Sequence, residues 1–355
     1  MKAVFPHSYR TGTGDIWVDF AHRRPKHEKI LSLSLHSLGS LHLGRVNKNE
    51  GEILRSREVY GHGLRHLSQA IKTPAMSSTD VTVAAAILLG VYELLNPTGE
   101  ELSLLHSRGI SQLFLLRGPK AHATGFGRTF LLTFRGLMVF EAFAAGKACF
   151  LGNEEWRAIV PIALSYLKHC GRAAGIIELI EFAFNEIAQC PGFLVMTKSL
   201  ISSTCTTNAE RENLIVVINA SKDTLKNLKR KMLIGLKTCQ DETEIDRQRF
   251  FGATPKSTAY AWTQYAIEGV HSAIALLQQL LTVLLSDQSR RTVATAGLML
   301  DPTKTEWEMT KDPTVIAQMS REHTRTHFAA GPQLPTSLKL WPDRLILTLG
   351  MPGKG

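Results

Sequence analysis

HSRGISQLFLLRGPKAHATGFGRTFLLTFRGLMVFEAFAAGKACFLGNEEW, running from His106 to Trp156, decides how the rest of the chain is read. Its first apolar run has helical spacing and ends on Arg117-Gly118-Pro119, where glycine accepts a left-handed C-cap and proline cannot continue a helix. A short loop carrying Gly125 and Gly127 leads into a second helix-like run through Arg135. Phe130, Leu131, Phe134, Leu137 and Met138 make that run apolar on one face. Arg135 shares the face, so a carboxylate or carbonyl should meet it there, with Glu93 and Glu155 as the candidates. The turn Phe150-Leu151-Gly152-Asn153-Glu154-Glu155-Trp156 closes the stretch. Glu154 and Glu155 read as a helix N-terminal turn favoured by the dipole, and Trp156 as the anchor of the next helix.

On the N-terminal side, helical periodicity covers Lys29 to about Val46 and Glu52 to Ile71, separated by the polar break Asn47 to Gly51. Two such helices make an αα-hairpin, with no fixed-period repeat after it. Ser77-Ser78-Thr79-Asp80 is an N-cap cluster for a helix from Val81 to Leu95. That helix is apolar nearly all round and belongs inside a bundle. Asn96-Pro97-Thr98-Gly99 ends it, and Glu100 to Leu116 is the next helix.

Beyond Trp156 the helical pattern continues over Ala158 to about Lys168, Arg172 to Ala188, Phe193 to Ser202 and Glu210 to Leu236. Asp241 to Thr254 is polar and loop-like, and Ser257 to Ser286 is a helix, or a pair broken near Gly269. Strand-like alternation is scarce. The expected fold is all-α, an irregular multi-helix bundle of stacked helical hairpins with a partly disordered C-terminal tail. Its organisation is an irregular segment at 1–26, a helical domain at 27–288 and a proline-punctuated tail at 289–355.

Composition narrows the function classes. Hydrophobic residues make up 44% and charged residues 20%, ordinary for a globular protein. The net charge of +10 is spread along the chain rather than packed into one tail. The five cysteines form no CxxC pair, and their odd number argues for reduced thiols and an intracellular compartment. The start MKAVFPHSYRTGTG lacks the apolar core of a secretory signal. The most apolar run, Ile274 to Leu285, is short and reads as a buried helix, so no membrane association is expected.

Thr11-Gly12-Thr13-Gly14 lacks the strand before it and the GK[ST] after it that a phosphate loop needs. GxSxG, SxxK and aspartate-rich DDxxD patterns are missing, so neither enzyme chemistry nor a cofactor is expected. Glu58, His62 and His66 recur four apart, which places three metal-type ligands along one helical face. They are weak candidates for a metal-dependent helical enzyme, because the motif is not HExxH and Gly61 and Gly63 flank His62. His323 and His327 repeat the spacing in the tail. Three basic clusters stand out: His22 to Lys29, Arg321 to His327, and Lys229-Arg230-Lys231 preceded by Lys222 and Lys226. The last is a candidate nuclear-import patch; no helix-turn-helix, zinc-finger or basic-zipper frame surrounds any of them.

The ordered set Tyr92-Glu93, His106, Gly109, Leu116-Arg117-Gly118-Pro119, Gly127-Arg128, Phe134-Arg135, Phe150-Leu151 and Glu155-Trp156-Arg157 resembles the regulatory, middle-homology domain of fungus-specific transcription factors. The resemblance implies that Glu93, Arg117, Gly118, Pro119, Arg128, Arg135, Glu155 and Trp156 are scaffold positions. It also implies a nuclear transcription regulator of a metabolic or secondary-metabolite gene cluster. That family usually carries a zinc binuclear-cluster module with six close cysteines, and no such cluster precedes residue 149 here. Direct DNA binding by this chain is therefore not expected. The implied partners are the transcription machinery, a DNA-binding partner or a small-molecule effector. The rival reading is a helical-hairpin interaction scaffold with no transcriptional role.

Overall fold

The computed structural model describes residues 29–98, 102–169, 175–202, 208–241 and 256–285, and every regular element among them is helical. The all-α expectation holds for these residues. The N-terminal segment at 1–26, the tail at 289–355, Thr11-Gly12-Thr13-Gly14, most of the first basic cluster and all of the tail cluster lie outside them. Within 27–288 the described residues gather into two compact units, divided between Phe134 and Arg135.

The first unit starts with the expected hairpin, α1 (Lys29–Val46) and α2 (Glu50–Lys72). Asn49 caps α2 by accepting from the Glu52 N–H, and Lys48 turns the chain at a φ of 51°. Ser34 and Ser37 are buried on α1, and their hydroxyls donate to the carbonyls of Ile30 and Ser34, so small polar residues line a packed face at little cost. A short α3 (Pro74–Ser77) precedes α4 (Asp80–Leu95), whose N-cap is Thr79. Every residue of α4 from Val81 to Leu95 is buried, with α1, α2 and α5 (Leu102–Arg117) packed on it. A helix with so few polar positions has no face to offer water, so it became the centre of this unit.

Gly118 ends α5 as expected, its N–H donating to the Phe114 carbonyl at 3.0 Å. Its φ of 74° and ψ of 166° lie in a region essentially confined to glycine. Pro119 then opens a 3-10 turn, Pro119–His122, where a plain loop was expected. α6 (Gly125–Ala144) follows and runs well past Arg135. At Gly127 the backbone lies against the Ala121 carbonyl so closely that a Cβ has no room.

The second unit contains a 3-10 turn at Phe150–Gly152, then α7 (Glu154–Arg157) and α8 (Ile159–His169). Trp156 is buried there, its ring edge-on to Phe150 with centroids 4.9 Å apart. α9 (Gly175–Ile187), α10 (Cys190–Ser202), α11 (Asn208–Asp241) and α12 (Lys256–Leu285) complete it. α12 is unbroken at Gly269. Buried positions on α11 step alternately by three and four, through Leu214, Ile218, Ser221, Leu225, Leu228 and Met232. On α12 one row with the same stepping, Thr263, Ala266, Val270, Ala273, Leu277, Leu280 and Leu284, is buried within a wider buried face that also takes in Ile274, Leu276, Leu281 and Val283. Arg211 near the start of α11 donates to the Leu284 carbonyl, while Lys229 further along donates to His271, so the two helices run antiparallel. By length and composition Ala266–Leu285 is apolar enough to cross a bilayer, but here its side chains serve packing against α9, α10 and α11.

Gly127 gives a direct test of close packing at the head of α6. Gly127→Ala should destabilise the fold by about 1–3 kcal/mol, because the clash is with backbone, and the denaturation midpoint should fall accordingly.

Candidate functional site

The densest cluster of buried polar side chains described lies in the first unit, where α2, α4 and α5 meet. Ser56 and Tyr60 are one turn apart on α2, as are Tyr92 and Asn96 at the end of α4. The Tyr60 and Tyr92 rings stack with centroids 4.4 Å apart. The Tyr92 hydroxyl is 2.9 Å from Ser56 Oγ and accepts from Asn96 Nδ2 at 3.0 Å. Tyr60 donates its hydroxyl proton to Glu93 Oε2 at 3.1 Å, which leaves its oxygen to accept from His106 Nε2 at 2.8 Å. Thr98 brings its N–H to Glu93 Oε1 at 2.6 Å and its hydroxyl to Oε2 at 2.8 Å.

Burial shifts two groups of this cluster toward their neutral forms. Burial, reinforced by the charge of Glu93 and the hydrogen bond to it, pushes the Tyr60 phenol far above its ordinary range. Burial also lowers the His106 imidazole, against an opposing pull from Glu93. At neutral pH the phenol is protonated and the imidazole is neutral. The arrangement fixes three helices in register and is poorly suited to supply a phenolate nucleophile.

The Arg117 motif closes a second contact in this unit. Arg117 Nη2 donates to Asp80 Oδ1 at 2.5 Å, joining the end of α5 to the start of α4. His122 stacks on Phe114 with centroids 4.1 Å apart and rings 7° from parallel, and its Nδ1–H donates to the Gly127 carbonyl at 3.0 Å. Burial is the main reason its imidazole is lowered to about 4; the nearby charges of Arg117 and Arg128 push the same way, against Asp80 and the Gly127 bond. Arg128 itself is buried.

In the second unit a carboxylate does meet Arg135, and it belongs to Glu181 rather than to Glu93 or Glu155. Arg135 Nη1 is 2.8 Å from Glu181 Oε2, with both side chains about 95% buried (relative exposures 4% and 5%). The guanidinium lies 4.1 Å over the Phe184 ring, one turn along from Glu181 on α9, so one helix face supplies both charge and ring. Glu155 is exposed in the first turn of α7, where the dipole favours it. Arg157, beside Trp156, donates to Gln189 Oε1 at 2.9 Å.

The remaining candidates fall on surfaces. Glu58 and His62 are exposed and His66 is half-buried along α2, and among the described residues no three His, Cys, Asp or Glu side chains are placed to hold a metal ion. Lys229, Arg230 and Lys231 lie on α11; Lys229 donates to His271 and Arg230 to Asn227, while Lys231 is exposed. Cys149 and Cys190 are free and buried, and burial pushes the Cys149 thiol up to about 12 and raises Cys190 as well, so neither is a thiolate at neutral pH.

With this geometry in view, comparison with known proteins gives one long match. The chain is similar to uncharacterized protein AN5342 of Emericella nidulans, 25% identical over 334 residues, covering 92% of this chain and 67% of that protein. No family model matches the chain, and no solved structure matches it.

Ser56, Tyr60, Asp80, Thr98, His122, Glu181 and Phe184 are among the participants whose roles sequence reading missed. Glu181 had a partial signal: it sits between Ile180 and Phe182 in the run Ile176 to Ile187, but Glu178 and Glu186 share that run. Asp80 had a weaker one, as a first-turn acid already singled out for capping.

Two measurements probe these contacts. Arg135→Met or Glu181→Leu alone should cost about 3–5 kcal/mol of stability, and the double replacement should recover most of it; a denaturant double-mutant cycle reads the coupling. For His122 the sign follows from its lowered folded value. Above pH 6.5 the imidazole is neutral both folded and unfolded, but as pH falls toward about 4 the unfolded chain takes a proton the folded chain refuses. The wild type should therefore lose stability over that window relative to His122→Gln, as seen in melting temperatures across a pH series.

Proposed function

We propose that this chain is a transcription regulator built on a fungal-type regulatory domain and acting in the nucleus. It works through the transcription machinery, a DNA-binding partner or a small-molecule effector, and it controls a metabolic or secondary-metabolite gene cluster. The observation that carries this reading is the ordered motif from Tyr92 to Arg157, whose residues are committed to the architecture: Glu93 ties α4 to α2 through Tyr60, Gly118 caps α5, Arg117 clamps α4, and Arg135 and Trp156 are buried in the second unit. The similarity to a protein of Emericella nidulans, a fungus, is consistent with the proposed family.

The rival reading, an interaction scaffold without a transcriptional role, draws support from the α1–α2 hairpin. A tethering assay separates the two. Fused to a heterologous DNA-binding domain, the chain should raise or lower reporter output relative to that domain alone. Unchanged output at equal nuclear protein level counts against the transcriptional reading and leaves the scaffold.

A further inference from the structure

α11 has two faces of different chemistry. Leu225, Leu228 and Met232 are buried toward α12. Arg230, Leu233, Ile234 and Lys237 follow i, i+3, i+4, i+7 spacing, so they share one side of the helix. Leu233 is 46% and Ile234 58% exposed, and Arg230 and Lys237 are exposed beside them. Lys226, half-exposed, extends the basic edge one turn back, where it lies 3.8 Å from Asp223. Between Ser221 and Lys237 this helix carries basic side chains at 222, 226, 229, 230, 231 and 237, with Asp223 as its acid.

An exposed aliphatic pair inside a basic rim is a particular kind of surface. Rim charges steer and orient a partner of opposite sign, while desolvation of the apolar centre supplies the holding energy. A phosphodiester backbone would use the rim but gain nothing from Leu233 and Ile234. A lipid surface calls for a broad apolar face with aromatic anchors, and on α11 the broad apolar stripe is already sealed against α12. An acidic segment with apolar side chains at helical spacing matches both features together.

We propose that this face of α11 docks an acidic amphipathic segment of a partner protein, with its apolar side chains on Leu233 and Ile234 and its carboxylates on Lys226, Arg230 and Lys237. This inference stands on α11 alone and does not rest on the transcriptional reading.

The test uses the full chain and a fluorescein-labelled, glutamate-rich peptide with leucines at i, i+3, i+4 and i+7, followed by fluorescence anisotropy. A second peptide of the same charge has those leucines replaced by serine. The leucine peptide should bind at least about tenfold more tightly than the serine peptide, and its affinity should fall as salt rises. Leu233→Ser with Ile234→Ser, and separately Arg230→Glu with Lys237→Glu, should each weaken it by about tenfold or more. All four positions are solvent-facing, and unchanged circular dichroism and melting temperature show that each variant is folded. Equal binding of the two peptides, or affinity untouched by either double variant, overturns the proposal. So does tighter binding of duplex DNA or of anionic phosphatidylserine vesicles than of the leucine peptide, if the charge-reversal pair abolishes it.

Discussion

A helix surrounded on all sides by protein cannot hand its polar groups to water, and α4 is in that position from Val81 to Leu95. Each hydrogen-bonding group it carries must be met by a neighbour, or burial costs on the order of 1–3 kcal/mol for each one left over. The arrangement of the first unit follows from this requirement. Thr79 serves the first turn, Arg117 reaches Asp80, Ser56 and Asn96 meet Tyr92, Tyr60 and Thr98 meet Glu93, and Arg45 donates to the carbonyl of Leu95. The surrounding elements are positioned as much by these obligations as by apolar contact.

The second unit solves a related problem with full charges. A guanidinium and a carboxylate that both leave water stay ionised only if they leave it together, and Arg135 and Glu181 do so over the face of Phe184. Such a pair adds little net stability over a well-packed apolar pair. Its effect is on specificity, since any packing that separates the two leaves a buried charge uncompensated. The α11–α12 pair contributes differently, through a long apolar seam whose register is marked by Arg211 on Leu284 and Lys229 on His271.

Most helices were legible because apolar spacing and breakers are local signals. The α1–α2 hairpin, the buried character of α4, the stop at Gly118-Pro119 and the burial of Trp156 all came from residues close together in sequence. The partner of Arg135 was not legible in the same way. Its face and its need for a counterion could be read, but choosing among the acids requires knowing which helix lies opposite, and Glu181 is 46 residues away. The 3-10 turn after Gly118 was hidden for another reason: proline after a helix stop suits a plain loop as well as a 3-10 turn. The seam of α11 and α12 was present as a three-four alternation in both helices, legible only when the two segments are set side by side.

Arg45 and Arg211 do the same job in different places, each reaching from a neighbouring helix to the last carbonyls of a long buried one, Leu95 on α4 and Leu284 on α12. Helix C-termini ordinarily fray, because their final carbonyls have only water as partner. A guanidinium delivered from another helix changes that, and it makes the loosening of one helix end conditional on the movement of a second. Fraying either end must therefore also break a bond to a second helix, which raises the opening energy of the last turns of α4 and α12. Opening energy is thus shared between segments far apart along the chain.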